Sequence, residues 1–139
     1  LRGRRVNDNM STFVANKMIK MLIKAGKQIM SSKILILGVT FKENCPDIRN
    51  SKVADVYHEL KEFGLEVNVY DYEADPVDVK KEHGIHLIDE IKEKYDGILL
   101  AVSHAKFSML NIESIKKDSK SVIYDLKGFL PRNQVNSRL

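Results

Sequence analysis

The chain has one cysteine, Cys45, no tryptophan and only three prolines in 139 residues. A lone thiol excludes an internal disulfide framework and a cysteine zinc cluster. It suits a reducing compartment, and the cytoplasm is the expected location. Long uncharged apolar runs are also absent. The most apolar stretch, Val14 to Met30, is broken by Lys17, Lys20, Lys24 and Lys27, which excludes a membrane span. No secretory leader pattern is visible. Lys and Arg number 23 but are scattered among 19 acids, with no basic run carrying interleaved aromatics, so no nucleic-acid partner is expected. No metal is expected either: His83 and His86 flank Gly84 without ligand spacing, and His58 is expected in solvent. The opening Leu1-Arg2-Gly3 carries no methionine, which suggests a piece of a longer protein.

What is present is an alternation of apolar patterns. Residues 10 to 30 read as one helix, with Val14, Met18, Met21, Leu22, Ala25 and Ile29 on one stripe and Ile19, Ile23 and Met30 widening it. At 1.5 Å per residue it is roughly 30 Å long. A stripe that wide either packs wholly inside the domain or, as favoured here, also forms a subunit interface. Strands are expected at Lys33–Val39, Glu66–Tyr70, Ile85–Ile88, Ile98–Val102 and Ser121–Tyr124. Helices are expected at Ser51–Phe63, closed by Gly64, and at Pro76–Glu82, closed by Gly84. Shorter helical pieces are expected at Asp89–Lys94, Ala105–Met109 and Ile112–Lys117. This alternation predicts an α/β fold: a three-layer α/β/α sandwich around a five-stranded parallel sheet of order 3-2-1-4-5, preceded by the long helix. The domain division expected is a linker and dimerisation helix over 1–31 and a ligand-binding domain over 32–139.

The richest segment is Gly38-Val39-Thr40-Phe41-Lys42-Glu43-Asn44-Cys45-Pro46-Asp47-Ile48-Arg49-Asn50-Ser51-Lys52, between the first strand and the next helix. Loops that follow parallel strands meet on one rim, where such sheets hold ligands. That rim gathers Lys42 and Arg49, then Asp71, Ser103 and His104, then Asp125 and Lys127. The helix starting near Ser51 aims its free amides at the same rim, which favours an anion such as a pyrophosphate. Lys42 is the best single candidate, against the alternative of a solvated loop lysine. Arg49 either forks a phosphate or carboxylate or pairs locally with Asp47. Lys127 either binds the anion or pairs with a neighbouring acid. Cys45 has no evident activating group and is not expected to be a nucleophile. His104 is the one histidine kept as a candidate.

The dinucleotide fingerprint G-x-G-x-x-G is missing. The first strand is followed by a single glycine and a bulky Phe41, so the domain is a poor primary site for a dinucleotide.

These motifs resemble the UDP-binding part of the UDP-glucose/GDP-mannose dehydrogenase family over essentially the whole chain. Gly38 to Lys42 with Asp47 to Ser51 resembles its most diagnostic motif. Gly3-Arg4-Arg5-Val6-Asn7-Asp8-Asn9-Met10 is similar to the start of its central helix. Tyr70-Asp71 with Ala74-Asp75-Pro76, and Tyr124 to Pro131, resemble its second-strand and last-strand endings. Asn44-Cys45-Pro46-Asp47 is similar to the branch acting on UDP-N-acetyl-hexosamines. The resemblance implies a Rossmann-like fold, a homodimer through the 10–30 helix and a role in polysaccharide biosynthesis. It implies oxidation of the C6 alcohol of a nucleotide sugar to a carboxylate with two NAD in succession, through a cysteine-bound thiohemiacetal. The catalytic Cys, Lys and Asn of such enzymes lie upstream, so no catalytic residue is expected in this stretch and it is expected to be inactive alone. It implies substrate contacts from Lys42, Lys127 and Phe41, a place for Arg4 in the substrate pocket or the subunit contact, and Arg49 on the NAD-facing side. NAD itself is expected to be held mainly by another domain.

Two other classes compete. A receiver-type signalling domain shares five parallel strands and a lysine after the fifth, but it needs acids after strand one, where this chain has Val39-Thr40-Phe41-Lys42. A purely structural dimerisation module is the other alternative.

Overall fold

In the central strand β1 (Lys33–Leu37), successive side chains go to opposite faces, and both faces are covered. Ile34 and Ile36 join one core with Val14, Met18 and Leu22 of helix α1 (Arg2–Lys24) and Val56 and Leu60 of α2 (Lys52–Glu62). Leu35 and Leu37 join the other with Ile98, Leu100, Phe107, Ile112 and Ile123. Each such side chain contributes about 1.5–3 kcal/mol by leaving water. The result is the expected α/β/α sandwich. The computed structural model describes residues 2–49 and 51–139, with side chains from Met10 onward.

The sheet is five-stranded and parallel, in the order β2-β1-β3-β4-β5, with β2 at Glu66–Tyr70, β3 at Gly97–Leu100, β4 at Val122–Asp125 and β5 at Ser137–Arg138. Leu37 pairs with Tyr70 and Leu100, and Leu100 with Asp125. The carboxyl ends of four strands are therefore level, and the loops after them share one rim.

The expected order 3-2-1-4-5 is corrected at its edges. Residues 85–88 form no strand: Ile85 and Leu87 are buried, but the segment's tie to β2 is a single Ile88 N–H to Val69 C=O bond of 2.9 Å. Burial produced the apolar pattern there, not a ladder. The fifth strand is instead Ser137–Arg138, a short polar edge with no apolar run to announce it. The expected helix at Asp89–Lys94 is a series of bends. Ala105–Met109 is a 3-10 helix, and α4 is confined to Ile112–Ile115.

Helix α1 starts earlier than expected and stops at Lys24 rather than at residue 30. Gly26, at φ 83°, turns the chain. Lys27 folds back between Asp96 at 2.9 Å and Asp118 at 2.7 Å, its side chain 10% exposed. Burial opposes the charge on Lys27, but hydrogen bonds to Asp118 and Asp96 outweigh it and raise its pKa above the usual lysine value. That staple closes the end of the sheet opposite the rim. Along α1, Ala15, Met18 and Leu22 are buried while Met10, Phe13 and Ile23 are 50%, 57% and 59% exposed. Helices α2 and α3 (Pro76–His83) match expectation. Asp75 caps α3 by accepting the Val77 N–H, and Gly84 closes it in the left-handed region. No helix among the described residues is long and apolar enough to cross a membrane.

Candidate anion-binding site at the strand ends

The rim is held by one buried network. Asp71, at the end of β2, and His104, beyond β3, have side chains 0% exposed. Asp71 Oδ2 accepts the Val39 N–H at 2.7 Å and faces His104 Nε2 at 3.0 Å. Its Oδ1 accepts the Glu73 and Ala74 N–H groups at 2.6 and 2.9 Å. Burial pushes the Asp71 carboxyl up, but the bonds from His104, Val39 and Glu73 outweigh burial and hold it below the usual carboxylate range. His104 Nδ1 accepts the Asn44 N–H at 2.9 Å, so the ring proton is on Nε2, shared between Asp71 and Thr40 Oγ1 at 3.1 Å. Thr40 donates in turn to the Lys42 carbonyl at 2.9 Å. Two of the expected rim residues are thus interior braces.

A second carboxylate does the same for the last loop. Asp125 is buried and accepts the Lys127 and Leu130 N–H groups at 3.0 and 2.7 Å. Its oxygens are occupied by backbone, which leaves the Lys127 ammonium unclaimed by the neighbouring acid.

Between these loops lies a cavity of about 250 Å³. Its walls come from Met10, Ser11 and Val14 of α1, Thr40 and Phe41 after β1, Lys52, Val53 and Val56 of α2, Ala101 and Val102 after β3, Leu126 and Lys127 after β4, and Leu139. Of the expected binding residues, Phe41 and Lys127 meet here. Lys42 is the exposed neighbour of Phe41 on the same rim, outside the lining. Arg49 is not brought in. It forks onto Asp47 at 3.1 and 3.3 Å, its side chain 78% exposed, over a groove shared with Asp78, Lys81 and Glu82. Hydrogen bonds and charge from that pairing hold Asp47 below the usual carboxylate range. Arg4 lies in the first turns of α1, and its side chain is outside the described residues. Cys45 is free and half-buried.

Lys52 and Asn44 were missed from the sequence, though both left a signal. Lys52 is the first residue of α2, where the helix dipole disfavours a cation. A cation placed against that rule is the signal that the sequence offered. Asn44 is at φ 56°, a conformation Asn tolerates better than most residues. Ser51, the N-cap of α2, makes no side-chain cap bond.

A larger hollow of about 630 Å³ lies outside β2, lined by Tyr70, Tyr72 and His86 among others, with the acids Asp71, Asp89, Glu90 and Glu93 against one lysine, Lys92. That excess of carboxylates repels a diphosphate, so the smaller cationic cavity is the better anion site despite its size. No group of three or more potential metal ligands occurs among the described residues.

A profile described as the UDP-glucose/GDP-mannose dehydrogenase family, UDP binding domain, matches residues 35–132. A UDP-N-acetyl-D-glucosamine 6-dehydrogenase from Salmonella typhi is 46% identical over 143 residues, which take in 100% of this chain and 33% of the relative. One from Pseudomonas aeruginosa is 39% identical, over 100% of this chain and 34% of its own length. The chain thus spans about a third of the length of the curated relatives it matches. Among solved structures, a UDP-D-ManNAc dehydrogenase from Pyrococcus horikoshii superposes with a TM-score of 0.74 at 26% identity, over 97% of this chain and 31% of that one.

Proposed function

The chain belongs to the UDP-glucose/GDP-mannose dehydrogenase family, and from that premise we propose that it is the substrate-binding part of an NAD-dependent UDP-N-acetyl-hexosamine 6-dehydrogenase of the cytoplasm. The observation that carries this is the convergence of Phe41, Lys52 and Lys127 on one cavity beside the N-terminus of α2. A UDP group presents an aromatic ring and two linked phosphates. The Phe41 ring offers a face to the base. The Lys52 and Lys127 ammoniums and the α2 amides offer charge to the phosphates. Lys42 reaches the diphosphate or sugar from the mouth. Arg4 is assigned to the substrate pocket or the subunit contact.

These groups bind and orient the sugar nucleotide. None is placed to take a proton from C6 or to attack it, so no catalytic residue is assigned and the segment alone is expected to be inactive. NAD, which accepts hydride when bound, does not fit here. Where a dinucleotide needs a glycine-rich turn, Gly38 is packed on Val102, and Thr40, Asp71 and His104 fill the space between strand ends. NAD is therefore assigned to another domain, with Arg49 facing it from the α3 side of the loop.

The test is steady-state kinetics of the complete enzyme with NAD and the three UDP-N-acetyl-hexosamines, those of glucosamine, galactosamine and mannosamine. The glucosamine sugar is the favoured substrate, given the two relatives of that name. Lys127→Ala and Lys42→Ala are each expected to raise its KM about tenfold, the loss of one charge-assisted contact. Unchanged KM in both variants removes these lysines from the site.

The exposed Met10, Phe13 and Ile23 on α1 support a homodimer formed through this helix. Sedimentation equilibrium of the complete enzyme is expected to give a dimer, and Phe13→Asp to weaken it. A wild-type monomer at micromolar concentration contradicts the assignment.

A further inference from the structure

Resting on the nucleotide-sugar reading of the adjoining cavity, we propose that His104 is a positioning residue: its Nδ1 holds the β1–α2 loop, and with it Phe41 and Lys42, in the binding arrangement. The loop needs such a support. Phe41, Lys42, Glu43 and Asn44 are all exposed, so they gain little from burial. Two of the loop's bonds are internal: Phe41 N–H to Asp47 C=O, and Thr40 Oγ1 to Lys42 C=O. Its far end is tied to α3, where His83 Nε2 donates to the Ile48 carbonyl at 2.8 Å. Its near end is tied to the β3 loop by a reciprocal pair. The Asn44 N–H donates to His104 Nδ1, and the Asn44 Oδ1 accepts the Ala105 N–H at 2.9 Å.

The imidazole is suited to this task because its two nitrogens do opposite jobs. Asp71 is a full acceptor and keeps the proton on Nε2. Nδ1 is then the acceptor that the Asn44 N–H meets. The ring itself is fixed by contact with Phe107, centroids 5.4 Å apart. A histidine that merely filled the core would satisfy one nitrogen locally. Here one nitrogen serves the end of β2 and the other an exposed loop at the mouth of the cavity. His104 touches no substrate in this account; it acts through the loop.

Two substitutions in the complete enzyme separate the jobs. In His104→Asn the side-chain oxygen takes the place of Nδ1 and keeps the loop tie. In His104→Gln the amide reaches the place of Nε2, keeping the Asp71 bond and losing the loop tie. Both are expected to lower Tm. His104→Gln is expected to raise the KM for the UDP sugar about tenfold with kcat little changed, while His104→Asn stays within about twofold of wild type. Equal KM in both variants, whether unchanged or raised alike, overturns the proposal. If His104→Gln does not fold, amide hydrogen exchange of the wild type takes its place: the Asn44 N–H, held by His104 Nδ1, is expected to exchange at least about tenfold more slowly than an unprotected loop amide. An Asn44 amide that exchanges at the unprotected rate overturns the proposal too. Titration with UDP keeps the two readings apart. A wild-type protein that binds no UDP sinks the cavity reading and this inference with it; a wild type that binds, with both histidine variants binding alike, sinks this inference alone.

Discussion

Gly38→Ala is expected to destabilise the domain by about 4 kcal/mol, the sum of a forbidden backbone conformation and an overpacked contact. Gly38 sits at φ 96° where β1 hands over to the loop. A Cβ there would lie 2.5 Å from the Val102 Cβ and 2.9 Å from the Val102 backbone nitrogen. Backbone cannot swing aside as a flexible side chain can. Relief requires moving the end of β1 away from the end of β3, and Thr40, Phe41 and Val102 of the cavity wall move with it. Two effects should therefore appear together: a lower midpoint in urea denaturation, and weaker UDP binding by the fraction that stays folded. A midpoint equal to wild type would show that the two strand ends are not in contact.

Asp71→Asn is expected to cost about 4 kcal/mol at pH 7, because buried N–H donors that face the carboxylate lose their acceptor at about 1–3 kcal/mol each. The carboxylate receives backbone N–H groups on both oxygens as well as the His104 ring. An amide keeps one oxygen and turns an NH2 group towards donors. The pH dependence has a definite sign. The folded-state pKa of Asp71 is depressed, so its contribution is complete above the unfolded value near 3.9 and is lost as pH falls through the folded value. The stability gap between wild type and Asp71→Asn should thus be constant from pH 7 to about pH 5 and narrow below about pH 4. Denaturation curves of both proteins across that range check it. A gap that does not narrow in acid would mean that the carboxylate is not the charged acceptor at the centre of the rim.

Much of this was legible because the signals were local. The apolar run Ile34 to Leu37, too continuous for a one-sided strand, announced a central strand buried on both faces. Pro76 and Gly84 bracketed α3 as N1 and C′ residues do. What failed had non-local causes. Ile85 and Leu87 are apolar because they are buried against the domain, and burial alone does not make a ladder. Ser137–Arg138 is a strand because β4 offers an edge, and nothing in its own composition says so. The end of α1 depended on Lys27 finding Asp96 and Asp118, far along the chain.

At the site, the rim could be named from topology alone, but not the division of labour on it. Asp71 and Asp125 look like exposed acids in sequence and are buried acceptors in the fold. Lys127 escapes the expected pairing with Asp125 because backbone amides already claim that carboxylate. Arg49 took the local option, Asp47, that its spacing had left open. Lys52 showed in the sequence only as a cation at a helix start, and its place in the site needed the cavity that α1 and the β4 loop form with it.

A crystal structure with UDP bound is the sharpest check on the anion site. The nucleotide should occupy the space between α1, Phe41 and the β4 loop, with Lys127 Nζ about 3 Å from a phosphate oxygen. Finding UDP in the hollow outside β2, or finding it bound with Lys127 and Lys52 both free in solvent, would contradict the account.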